Sequence, residues 1–261
     1  MFGSLRHLPP VSVESTLARE EGVLDLWYCY YECVEDVSLL VKWEALMSPD
    51  ERQRYGAFRF ERDRRLFLAT RALVRTVLSH YYPVAPGEWR FISGKHGKPR
   101  ISSPNVRTPI YFNLANTRGL AVCLVSIAHG SIGVDAELID PKVECGTLAD
   151  RYCSPSEIQG IKALPSNEQQ SWFFAHWTLK ESYVKALGIG LAVPVDQCSF
   201  AIGKDKITFE SPMRGEACWR FALVETEYNH LIAVSADTGG AGLSLRASAI
   251  VPLCGNKLAA R

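Results

Sequence analysis

Apolar and polar positions alternate in a way that divides the chain into strand-length and helix-length pieces. Leu24 to Tyr31 is an apolar run of strand length. A helix start is written at Ser48-Pro49-Asp50-Glu51: serine to cap, proline at the first helical position, and glutamate three residues after the cap. The spacing of Leu66, Phe67, Leu73, Val74, Val77 and Leu78 predicts a helix over about Asp63 to Ser79 with one apolar face. Loop signals fill Ser93 to Pro109. Tyr111 to Leu114 and Leu120 to Ile127 then read as strands joined by a tight Asn-Thr-Arg-Gly turn.

The second half repeats this order. A strand is expected over Ser131 to Leu138. The signal Ser154-Pro155-Ser156-Glu157 repeats the earlier helix start, and a long helix over about Asn167 to Leu187 ends at Gly188. Further strands are expected near Ser199 to Ala201, Lys206 to Phe209, Arg220 to Val224 and Leu231 to Ser235. The Gly-rich tail after Asp237 reads as peripheral. The pattern predicts an α+β protein built from two similar halves, residues 1–128 and 129–261.

Composition narrows the class. Of 261 residues, 47% are hydrophobic and 22% charged, the balance of an ordinary globular chain with a core of useful size. A formal net charge of +1 gives no global field to recruit nucleic acid or a membrane surface. The eight cysteines contain no C-x-x-C pair and the six histidines show no ligand spacing, which points to reduced thiols in a cytoplasmic protein. Met1 to Pro10 lacks the apolar run of a signal peptide, and no stretch approaches the roughly 20 apolar residues of a membrane span.

Four segments hold residues suited to chemistry. In Gly133-Val134-Asp135-Ala136-Glu137 the two acids lie two apart, so a strand projects them from one face. Such a pair repels unless a cation joins it, and hard oxygen ligands suit magnesium; a solvated strand edge is the other reading. In Trp177 to Gly188, Glu181 and Lys185 share a helix face walled by aromatic residues. That is either a tuned site or a surface ion pair. Eight arginines lie between Arg52 and Arg75 against two acids, with Arg64, Arg71 and Arg75 on one stripe. They suit phosphate, or form a solvated face. The loop Gly94-Lys95-His96-Gly97-Lys98-Pro99 lines a phosphate pocket or is a plain hairpin tip, and it does not have Walker spacing.

The order of these pieces is more specific than any one of them. Gly97-Lys98-Pro99, then Phe112-Asn113-Leu114, then Gly133-Val134-Asp135-Ala136-Glu137, then Trp177-x-x-Lys180-Glu181-x-x-x-Lys185-Ala186-x-Gly188-x-Gly190-Leu191 resembles the 4'-phosphopantetheinyl transferases of the long, Sfp-like class. The match spans roughly residues 48 to 200. The resemblance implies two α+β halves about a pseudo-twofold axis, with coenzyme A between them. It implies Asp135, Glu137 and Glu181 as magnesium-side carboxylates, and Glu181 and Lys185 as the catalytic pair. It implies coenzyme A contacts at Arg54, Ser93, Lys98, Pro99, Asn113, Ala115, Asn116, Asp135 and Lys185. The expected partners are coenzyme A and apo acyl, peptidyl or aryl carrier proteins, with neither nucleic acid nor membrane, and the duplication implies a monomer.

The chain departs from the family pattern in two places. Relatives commonly read Phe-Asn-x-Ser-His where this chain has Ala115 and Asn116, and asparagine can donate a hydrogen bond to a phosphate but cannot supply charge. Ala136 stands where relatives have a bulkier aliphatic, on the strand face opposite the acids. Three rival readings share the same residues: a coenzyme A or carrier-binding module without catalysis, a magnesium-dependent phosphohydrolase, and a nucleic-acid binder built on the arginine stripe.

Overall fold

A computed structural model describes residues 22–94, 96–213 and 215–254. The Met1 to Pro10 segment and Lys95 lie outside the described residues. The chain forms two compact units. One comprises Ser131–Leu243; the other takes described residues 22–130 and 244–254. None of the described helices is long and apolar enough to cross a membrane.

The first unit begins with β1 (Val23–Tyr30), followed by α1 (Val37–Ala45), α2 (Pro49–Ala57) and α3 (Glu61–Tyr81). Ser48 and Glu51 form the expected reciprocal cap on α2, with Pro49 at its first turn. Helix α1 has no counterpart in the sequence reading. Its nine residues are too few to show a period, and Asp36 caps it by accepting from the Ser38 and Leu39 amides. The segment read as loop contains β3 (Pro99–Ser103), which pairs as a hairpin with β2 (Arg90–Ser93) just before it. Strands β4 (Tyr111–Thr117) and β5 (Leu120–Ser126) follow, and every position of β5 is buried.

The second unit begins with β6 (Ile132–Leu138), α4 (Cys145–Tyr152) and α5 (Pro155–Lys162), the last capped by Ser154 and Glu157. The long α6 (Ser166–Leu187) stops at Gly188, whose φ of 68° is left-handed and open to glycine at little cost. Strands β7 (Ser199–Ile202), β8 (Ile207–Glu210), β9 (Trp219–Glu225) and β10 (His230–Asp237) complete the unit. Its antiparallel sheet has the order β6-β10-β9, and α6 packs on β6 and β10.

The tail is not peripheral. β11 (Ser244–Ala249) pairs in parallel with β1, giving the first unit a sheet of order β11-β1-β5-β4. Buried Asp25 holds it there, accepting from Arg246 Nε at 2.6 Å and from Tyr81 Oη at 2.5 Å, while Trp27 Nε1 donates to the same tyrosine oxygen. Trp43 Nε1 of α1 donates to the Pro252 carbonyl at 2.9 Å. These partners lie some 50 to 220 positions apart in sequence, so no local pattern announces them.

Both units use the capping-box glutamate a second time. Glu51 accepts from Arg75 Nη2 of α3 at 2.5 Å, and Arg75 has no exposed surface. The Glu157 carboxylate lies 2.7 Å from Lys180 Nζ of α6, and Lys180 also donates to the carbonyls of Tyr152, Val195 and Cys198. Arg75, read as one of a phosphate-facing stripe, is therefore a core residue committed to Glu51. Removing one partner of such a buried pair strands the other charge, at a cost of about 3–5 kcal/mol.

Residue 133 sets how closely α6 lies on β6. A Cβ on Gly133 would fall 2.0 Å from the Ser182 carbonyl oxygen and 2.4 Å from the Ala186 nitrogen. Both atoms are helix backbone, and neither can rotate away. Gly133→Ala is therefore expected to lower unfolding stability by about 3 kcal/mol, at the upper end of the usual overpacking range, as read by urea denaturation. A stability unchanged from the parent would show that the helix can lift off the strand at no cost.

Candidate functional site: an acidic strand facing a long helix

Strand β6 and helix α6 bring four of the singled-out residues together inside the second unit. Asp135 and Glu137, two apart on β6, both face α6. Lys185 Nζ donates to Asp135 Oδ1 at 2.6 Å, and Trp177 Nε1 donates to Glu137 Oε1 at 3.1 Å. Trp177, Glu181 and Lys185 recur every four residues and so share one face of α6. Buried Ser182 and Ser235 meet at 2.5 Å between α6 and β10, fixing the helix over the sheet.

The electrostatics are those of acids crowded out of water. Burial pushes the Asp135 carboxyl up, and Lys185 pulls it partly back. Burial and then the Asp135 charge push Glu137 up to about 7, against the indole hydrogen bond of Trp177. Burial and Asp135 also raise Glu181. The second oxygen of Asp135, Oδ2, is buried without a hydrogen-bond partner among the described residues. An unpartnered buried carboxylate oxygen is costly. Among the described residues, no three His, Cys, Asp or Glu side chains are gathered closely enough to form a metal cage by themselves.

The remaining singled-out residues lie in the first unit. Arg54 is exposed on α2, its guanidinium 5.3 Å from the Phe67 ring centroid. Ser93 ends β2 and Pro99 begins β3. Between them half-buried Lys98 has its ammonium pushed down to about 8 by burial. Asn113 lies within β4, which continues past the expected Leu114 to Thr117. Asn113 and Ala115 are buried, whereas Asn116 is exposed, as the period of two along a strand requires.

The sequence reading missed two roles on α6. Lys180, quoted there only as a motif position, is a buried structural cation. Trp177 contributes a directed N–H rather than only an apolar wall. The signal for the first was present: a capping-box glutamate precedes a long-helix cation by 24 positions in one half and 23 in the other.

Comparison with known proteins follows the same division. A family model described as 4'-phosphopantetheinyl transferase superfamily matches residues 131–235, and one described as 4'-phosphopantetheinyl transferase, N-terminal, matches residues 37–128. The chain belongs to the 4'-phosphopantetheinyl transferase superfamily. Among curated relatives it is similar to the 4'-phosphopantetheinyl transferase HetI of Nostoc sp., with 36% identity over 57% of this chain and 62% of that protein. It is 30% identical to a putative 4'-phosphopantetheinyl transferase of Synechocystis sp., over 63% of this chain and 66% of that one. It is 28% identical to the 4'-phosphopantetheinyl transferase Sfp of Bacillus subtilis, over 75% and 84%. The match thus spans a little under two thirds of the length of the first two relatives.

The crowded carboxylates have a consequence for stability. Their folded pKa values are raised, so the stability they contribute is present below the ordinary carboxylate range and is lost as pH rises toward the folded value, about 7 for Glu137. In a metal chelator, the melting temperature of the parent protein should fall relative to Glu137→Gln between pH 5 and 7.5. Parallel curves for the two proteins would show that Glu137 is not held in this environment.

Proposed function

We propose that the chain transfers the 4'-phosphopantetheine group of coenzyme A to a serine of an apo carrier protein, as a magnesium-dependent transferase of the long, Sfp-like class. The observation that supports this most directly is the meeting of Asp135, Glu137, Glu181 and Lys185 between β6 and α6, inside the region that matches the transferase superfamily. We assign nucleotide contacts to Arg54, Ser93, Lys98, Pro99, Asn113, Ala115 and Asn116 of the first unit. Lys98 suits such a role, since burial has already removed much of its water. Action as a monomer is supported by both matched regions lying on one chain. The cytoplasm is the proposed location, in keeping with eight cysteines that are all free thiols.

The donor set fits a hard divalent cation. The ligands are carboxylates, Asp135 Oδ2 has no hydrogen-bond partner among the described residues, and the Asp135 charge raises both Glu137 and Glu181, which a cation would reverse. Magnesium ordinarily completes its shell with waters and substrate phosphates, so a full protein cage is not required. Asp135, Glu137 and Glu181 would hold it. When bound, it supplies charge neutralisation at a pyrophosphate.

The chain's own residues account for the remaining steps. Glu181, its carboxyl raised by burial, accepts the proton of the carrier serine hydroxyl. The serine oxygen bonds to the phosphorus that bears pantetheine, and the bond from that phosphorus to the bridging oxygen breaks. 3',5'-ADP leaves with the bond's electron pair. Lys185, about a third exposed, is long enough to turn from Asp135 toward the departing phosphate.

The test is to incubate the protein with coenzyme A, magnesium and an apo carrier, and to weigh the carrier by mass spectrometry. A gain of one phosphopantetheine group, abolished by a chelator, is expected. No gain with acyl, peptidyl and aryl carriers would overturn the proposal in favour of a binding module, and release of 3',5'-ADP without a carrier would point to a hydrolase. Glu181→Gln should lower turnover by about 100-fold or more, the usual worth of a positioned base, with the fold intact by circular dichroism. Turnover near that of the parent would remove Glu181 from the base role.

A further inference from the structure

The two acids of β6 are each held by one donor from α6, and the two donors differ in kind. Lys185 meets Asp135 with a full positive charge, whereas Trp177 meets Glu137 with a neutral N–H. A neutral donor orients a carboxylate without pairing it to a positive charge, so Glu137 stays available to another cation. The indole is itself fixed. Its ring packs on Tyr152, with centroids 4.8 Å apart, and stacks within 10° of parallel on Phe173 at 6.4 Å. Tyr152 ends α4, and its carbonyl accepts from Lys180. The indole is thus braced by a neighbouring helix, α4, that the hydrogen bond from Lys180 to the Tyr152 carbonyl ties to α6.

We propose that Trp177 is a positioning residue: its indole N–H holds Glu137 in the orientation in which that carboxylate takes a divalent cation. This rests on the metal assignment above. Partners that orient metal ligands from behind typically change metal affinity by 10- to 100-fold when removed. A residue serving only as apolar packing would not do so once its ring is replaced.

The test is Mn2+ binding to the full chain, followed as loss of the free-ion signal in electron paramagnetic resonance. Three proteins are compared: the parent, Trp177→Phe, and a form with benzothienylalanine at 177, which keeps the bicyclic shape and lacks the N–H. Both altered proteins should bind Mn2+ about 10-fold more weakly. The benzothienylalanine form keeps the ring contacts and should melt with the parent, so it decides the matter even if Trp177→Phe folds poorly. Equal affinity in the parent and the benzothienylalanine form would overturn the role of the N–H while leaving the metal assignment standing. Absence of Mn2+ binding by the parent would overturn the metal assignment and this inference with it.

Discussion

Helix α6 rests backbone to backbone on strand β6, and it can do so only because residue 133 has no side chain. Everything in the acidic site follows from that approach. Lys185 reaches Asp135 and the Trp177 indole reaches Glu137 because the helix axis lies close over the strand. A β-carbon at 133 would push the helix away one strand repeat before the first of these two contacts. Gly133 shares the strand face of both acids, since 133, 135 and 137 are successive positions of period two.

The second organising contact is the buried ion pair repeated in the two units. In each, a serine-proline helix start supplies a glutamate that closes a capping box and also meets a cation on the following long helix. Such pairs are expensive to bury and are retained only where further hydrogen bonds satisfy the charge. Lys180 meets that condition, with three backbone carbonyls around its ammonium. The neighbouring residue Glu181 lacks such compensation. Burial and the Asp135 charge leave it raised. Adjacent positions on one helix thus hold a neutralised structural charge and an uncompensated one, and the uncompensated one is suited to chemistry.

Much of this architecture was legible along the chain because its causes are local. Both capping boxes, the glycine stop of α6 and the paired acids on β6 depend on residues within a few positions of one another. Helices α1 and α4 escaped notice because eight or nine residues do not establish a period. Strands β2 and β3 escaped, although Gly94 to Pro99 was open to reading as a hairpin tip, because glycine and proline signals outweigh four or five strand residues. The C-terminal tail looked peripheral because its anchor, Arg246 on Asp25, joins residues 221 positions apart.

The sequence by itself determined the longer elements, their order and the set of acids and bases available to the site, since these follow from periodicity, capping chemistry and residue identity. Only the tertiary structure decided which charges are spent on the fold and which remain. Arg75 and Lys180 look no different in sequence from Arg54 and Lys185, yet the first two are sealed against glutamates and the second two retain contact with solvent. The physical reason is desolvation, which depends on what packs around a charge in three dimensions and leaves no mark on its neighbours in the chain.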